Sequence, residues 1–344
     1  MAHRLRTAAL PWTRLSDEKL LQLRLCDLRL SIERSAIRPH LRRLYAELEG
    51  RGVRFRPHVW LGEEWFSPDG VPGIAVPFYL AHPRLERLER RIMRSVEGGN
   101  ARWLMRILRH EAGHALDNAY RLRRRKCWRE LFGPASRPYP RRYRARPGSR
   151  RYVHHLGEWY AQAHPTEDFA ETFAVWLQPR SNWRTSYADW PAFEKLQLVD
   201  ELMASVRARR APVRNRQRVE PIDASTRTLA QHYRRKLARH RHYRRGLADE
   251  MLHRVFSEER AHAYSMRAST LLRAHKSALV AAVARELATP RYSVHQVLRL
   301  LIARSEALAL HVRGNRREAA RDARAMLARI TRLYTAGETP HLAL

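Results

Sequence analysis

The chain has 344 residues, 44% of them hydrophobic and 9% aromatic, enough for one large core or two ordinary ones, which excludes a disordered tail or a collagen-like repeat. Its two cysteines, Cys26 and Cys127, exclude a disulfide scaffold and a four-cysteine zinc site. The 67 Lys and Arg against 34 Asp and Glu leave a formal charge of +33, a field that favours nucleic acid, acidic membrane surfaces or acidic proteins but says nothing about fold.

The opening MAHRLRTAAL has no apolar run of signal-peptide length, and the longest small-apolar run, over 277–284, is far short of a membrane span. The expectation is a soluble, cytoplasmic protein. Apolar spacing predicts helices over 16–32, with Ser16, Asp17 and Glu18 as a start signal, and over 34–48. Composition turns β-rich over 53–61 and 73–81, around the turn-forming SPDGVPG; Pro77 marks the second run as an edge strand, against which an extended peptide could pair. Helices are expected over 84–96 and 100–120. The segment 121–152 carries thirteen Lys/Arg, one acid and four prolines, and reads as a basic loop insert with little regular structure. A helix resumes over 165–177. The Arg-rich ARRAPVRNRQRVEPID at 208–223 reads as a linker, and 224–334 as four or five helices without a strand. The expected architecture is therefore an α+β domain over 1–206, followed by a basic all-α accessory domain over 207–344.

Residues 110–114 read HEAGH. On a helix His110 and His114 are one turn apart on one face and can bind a single zinc ion, with Glu111 placed to take a proton from the water that the metal activates. Trp103, Leu104, Ile107, Leu108, Ala115 and Leu116 supply the apolar stripe of that helix. A catalytic zinc needs a third protein ligand. A histidine six residues after His114 is excluded, because Tyr120 stands there; a glutamate on a later helix is the other common solution. The EDFAE run at 167–171 places Glu167 and Glu171 one turn apart, opposite Phe169, Phe173 and Trp176, a spacing that suits one ligand plus a carboxylate orienting a ligating histidine. His154, His155 and His164 are lesser alternatives as ligands, with surface or structural roles the plainer reading. His232, His240 and His242 read as a basic helix face, and the two cysteines as core or surface thiols.

HEAGHALDNAY followed by YAQAHPTEDFAETFA resembles the gluzincin zinc metallopeptidases, in particular the catalytic domain of anthrax lethal factor and related bacterial zinc-binding metallopeptidases. The resemblance covers about residues 50–180, and the insert at 121–152 departs from it. It implies a zincin-like fold, with zinc on His110, His114 and Glu167 and Glu111 as general base. It further implies that Tyr160 stabilises the oxyanion, that Glu171 holds a ligating histidine, and that Asp117 matches an acid found after the motif. The implied activity is zinc-dependent hydrolysis of protein or peptide substrates, as an endopeptidase. The alternative is a nucleic-acid-associated protein: 30 Lys/Arg against 11 Asp/Glu lie from Ser205 onward, with Arg234, Arg235, Arg239, Arg241, Arg244 and Arg245 crowded on one short stretch. No helix-turn-helix, zinc-finger or RNP signature accompanies them.

Overall fold

In the computed structural model, which describes residues 10–93, 95–140, 142–207, 209–242, 247–336 and 340–342, the segment 16–32 is not one helix. Ser16 does cap a start, its hydroxyl accepting the Lys19 N–H at 3.3 Å, but the helix Asp17–Leu21 stops after a single turn. The backbone N–H groups of Leu25 and Cys26 donate instead to the carbonyls of Arg227 and Ser225, at 2.9 and 3.1 Å, and Arg24 bridges Thr228. These long-range bonds remove the donors a helix would need, and Arg29 turns the chain in the left-handed region at φ 46°. Leu20, Leu25 and Leu28 still reach the core, which is why their spacing mimics a helix.

Two compact units share the chain. One gathers Met1–Glu49, Phe55–Tyr120 and Ala211–His240; the other gathers Gly50–Arg54, Arg121–Arg210 and Arg241–Leu344. They are interleaved in sequence.

In the first unit, β1 (His58–Gly62) pairs in parallel with β2 (Gly73–Pro77), in the register His58↔Gly73 to Gly62↔Pro77. The connection folds back so that the Phe66 carbonyl accepts the Ala75 N–H at 2.9 Å, on the other side of β2. All five β2 residues are buried and 78–81 is a 3-10 turn, so the run expected to offer a peptide an edge strand has that edge occupied at Ala75. Arg38–Gly50, Pro83–Met93 and Ala101–Tyr120 supply the helices. Arg109 grips Glu47 with two 2.7 Å bonds, both side chains almost fully buried, and so ties Ala101–Tyr120 to Arg38–Gly50.

The Arg-rich stretch after residue 210 is a strap on this unit. Val213 N–H donates to the Ala119 carbonyl at 3.2 Å, and the Trp60 indole N–H to the Val219 carbonyl at 2.9 Å. The helix Leu229–His242 then turns cations inward. His232 lies 2.8 Å from Glu63, Lys236 bonds Glu64 and Glu89 at 3.1 and 3.0 Å, and Arg239 bonds Glu64 at 3.0 Å. Burial would raise the Glu63 carboxyl, but hydrogen bonds from His232 and Arg227 outweigh it and hold it at about 2. His232 is therefore a buried partner of an acid and not part of a solvated face, and Arg239 is answered by a carboxylate of its own unit. Arg234 and Arg235 are exposed; the side chains of His240, Arg241, His242, Arg244 and Arg245 lie outside the described residues.

In the second unit the insert is more regular than its prolines suggest. Lys126–Phe132 is a helix whose Trp128 and Phe132 pack on Phe169, with ring centroids 5.8 and 5.5 Å apart, and Arg142–Arg144 pairs antiparallel with Pro340–Leu342. Over 224–334, where four or five helices without a strand are expected, Leu229–His242 of the first unit is followed here by five more, Leu247–Val255, Ala268–Ala274, Lys276–Glu286, Arg291–Ala307 and Arg316–Thr335, and a two-residue strand pair, Phe256–Ser257 with His311–Val312, is added. Their core, with Leu272, Val283, Val297, Leu301 and Leu327 at its centre, also contains Tyr143, Trp159 and Ala163. Among the described residues no helix is long and apolar enough to cross a membrane. The whole is a mixed, helix-rich architecture with a small sheet.

Candidate active site

Ala101–Tyr120 opens where the Asn100 side chain accepts the Trp103 N–H at 2.9 Å. Apolar residues on several faces sink it into the core, carrying His110, Glu111 and Asp117 to buried positions and His114 to a half-buried one. The one-turn spacing brings the Nε2 atoms of His110 and His114 to 3.1 Å from each other, with the rings inclined at 76°. Beside them the Ser67 hydroxyl lies 3.0 Å from Glu111 Oε2. Ser67 sits in the loop between the strands, and Asn118 pins that loop: its Oδ1 accepts the Gly70 N–H at 3.2 Å, and its Nδ2 donates to the carbonyls of Pro68 and Val71 at 2.9 and 3.2 Å. Neither Ser67 nor Asn118 was singled out by sequence; the only signal was the turn-forming SPDG itself.

Pro165–Leu177 starts with Pro165 at its first position and His164 as cap, the His164 Nδ1 accepting the Thr166 N–H at 3.3 Å. Every residue of this helix is buried, including Glu167, Asp168 and Glu171. Three carboxylates out of water require partners. The Tyr139 hydroxyl donates to Glu167 Oε1, the Lys195 ammonium bonds Asp168 at 2.5 Å, and the Leu156 N–H donates to Glu171 Oε2 at 2.8 Å. Burial pushes the Asp168 carboxyl up to about 7, against the pull of Lys195.

Tyr160 begins a short 3-10 turn, and its hydroxyl lies 3.4 Å from that of Tyr139. The two residues before it, Glu158 and Trp159, both have left-handed backbones, with φ of 59° and 57°. Trp159 stacks edge-on to Tyr334 with centroids 5.1 Å apart, and the Tyr143 hydroxyl donates to the Glu158 carbonyl at 2.9 Å.

Among the described residues, one group could hold a metal ion: His110, His114 and Glu167, whose ligand atoms all lie within 4.8 Å of one another. Two imidazoles and a carboxylate form a donor set that suits zinc. His154, His155 and His164 are not in that group. His154 lies 3.1 Å from the Tyr292 hydroxyl, and burial lowers its imidazole to about 4. His164 spends one ring nitrogen on its helix cap and has the other 2.9 Å from the Arg137 carbonyl.

Residues 84–200 match the family model described as "Putative zinc-binding metallo-peptidase". The matched segment is about a third of the chain and runs from Pro83–Met93 through both motifs into Ala192–Val206. It supports peptidase chemistry on peptide substrates with a zinc ion. No curated protein and no solved structure matches the chain, and nothing found supports the nucleic-acid alternative.

Proposed function

We propose that the chain is a zinc endopeptidase of the gluzincin type, with a zincin-like catalytic part. The observation that carries this reading is the convergence of the His110, His114 and Glu167 ligand atoms within 4.8 Å; the family match over both motifs supports it. Bound on these three side chains, zinc would supply a Lewis acid that polarises the scissile carbonyl and brings the pKa of water towards about 7.

The protein's own groups do the rest. Glu111, its carboxylate steadied by Ser67 at 3.0 Å, accepts the proton of the attacking water and delivers it to the leaving amine. Tyr160 donates its hydroxyl to the oxyanion that develops on the substrate carbonyl. Glu171 orients a ligating histidine, and its observed bond to the Leu156 N–H also fixes the chain leading to Tyr160. Asp117, buried three residues after His114, is assigned an outer-sphere role on the same helix.

Metal analysis of the dialysed full chain tests the reading. Wild type is expected to retain one zinc and His110→Ala none; a wild-type chain free of zinc, or a His110→Ala chain that keeps it, overturns the assignment.

A further inference from the structure

Tyr139 lies in the basic insert, in the run RPYP, and none of the motifs includes it. It is 44% exposed, one of the two most exposed large hydrophobic side chains among the described residues. A surface aromatic in a proline-rich loop ordinarily needs no explanation. This one is not oriented as a surface residue. Its hydroxyl reaches a carboxylate that is only 5% exposed, that of Glu167, and its ring lies on the imidazole of His164, with centroids 4.5 Å apart and planes within 27°.

Three features fix it there. Pro138 and Pro140 flank it and narrow the backbone freedom on both sides. His164 Nε2 lies 2.9 Å from the Arg137 carbonyl, two residues before Tyr139, while Nδ1 caps the helix that carries Glu167. One imidazole thus clamps the start of that helix to the loop that covers it. The stacking contact then sets the plane of the phenol, so the hydroxyl arrives at Glu167 Oε1 and not at solvent.

We propose that Tyr139 is a positioning residue for the metal ligand Glu167. This rests on the zinc reading above. A carboxylate has two oxygens; with Oε1 accepting from Tyr139, Oε2 would be the one to serve as the metal ligand. The neutral phenol can donate without neutralising the ligand's charge, unlike an Arg or Lys in the same place. His164 holds the phenol through its ring, which gives that residue a role in place of the ligand role weighed from sequence. Because the Tyr160 hydroxyl lies 3.4 Å from that of Tyr139, the same clamp sets the neighbour of the group assigned to the oxyanion.

The test measures zinc affinity of the full chain by competition with a chelator, and the visible spectrum of the cobalt(II)-substituted protein. Tyr139→Phe keeps the ring and its stacking but loses the donor. It is expected to weaken zinc binding by roughly 10-fold or more, the usual scale for losing an outer partner of a ligand, and to shift the cobalt bands, with an unchanged unfolding midpoint for the metal-free chain. His164→Ala should move affinity and spectrum in the same direction. If Glu167→Ala loses zinc while Tyr139→Phe matches wild type in both affinity and cobalt spectrum, the positioning role is overturned and the zinc reading stands. If wild type binds no zinc, or Glu167→Ala binds it as wild type does, the zinc reading itself falls and takes this inference with it.

Discussion

The loop between the two strands, 63–72, and the proline-rich loop 133–140 solve the same problem with different chemistry. Each delivers a hydroxyl to a buried glutamate: Ser67 to Glu111 and Tyr139 to Glu167. Each is held by a polar side chain from the glutamate's own helix or its cap, Asn118 in one case and His164 in the other. The difference lies in what anchors the far side. The first loop is stitched into the sheet at Ala75, and its serine is short and half-buried, which suits the proton-transfer role proposed for Glu111. The second carries a large, rigid and partly exposed ring, which suits fixing the metal ligand proposed at Glu167.

That contrast can be broken at the glutamates themselves, where the effects are largest. Glu167→Ala is expected to abolish zinc retention and Glu171→Ala only to weaken it, read by metal analysis after dialysis; the reverse order would exchange their roles. Glu111→Gln should keep both fold and zinc yet lose peptide hydrolysis by on the order of 10³-fold, because an amide cannot accept the water's proton. With the same peptides, Tyr160→Phe should lower kcat by on the order of 10²-fold and leave zinc content alone.

Sharpening it takes milder changes. Asn118→Ala removes three hydrogen bonds that pin the Ser67 loop and should lower unfolding stability by about 2 kcal/mol, measured by denaturant titration. Ser67→Ala should cost only about fivefold in kcat without touching zinc. A further effect is on pH. His154 drops from its ordinary 6.5 to about 4 in the folded chain, mainly by burial, with Arg299 adding repulsion. A lowered imidazole gives stability that is present above pH 6.5 and is lost as pH falls towards 4. His154→Gln should flatten the stability curve in that window, and an unchanged slope would show that other groups set it.

The two chemistry-bearing helices were legible because helical periodicity and one-turn spacing survive in a linear string. HEAGH within its apolar stripe and EDFAE beside Phe169 and Phe173 both lie where the spacing put them. What supports them was not legible. Ser67, Asn118, Tyr139 and the clamping role of His164 depend on loop geometry, which has no period. Residues 16–32 misled for the opposite reason: their leucines are buried at helical intervals, but bonds to 225–227 hold the backbone open. The insert was read from its prolines and charge, whereas Trp128 and Phe132 decide its fold by reaching Phe169.

The pair of left-handed residues ahead of Tyr160 constrains what can be exchanged around it. Each costs on the order of 1 kcal/mol for a side chain other than glycine, so the local backbone favours glycine at both positions. The core favours tryptophan at one of them, because Trp159 packs on Tyr334 and shares its cluster with the C-terminal helices. Packing against the helix Arg316–Thr335 thus constrains which residue can precede the tyrosine. A recombination event that exchanged those helices for another module would have to bring a replacement for Tyr334, or lose the turn that presents Tyr160.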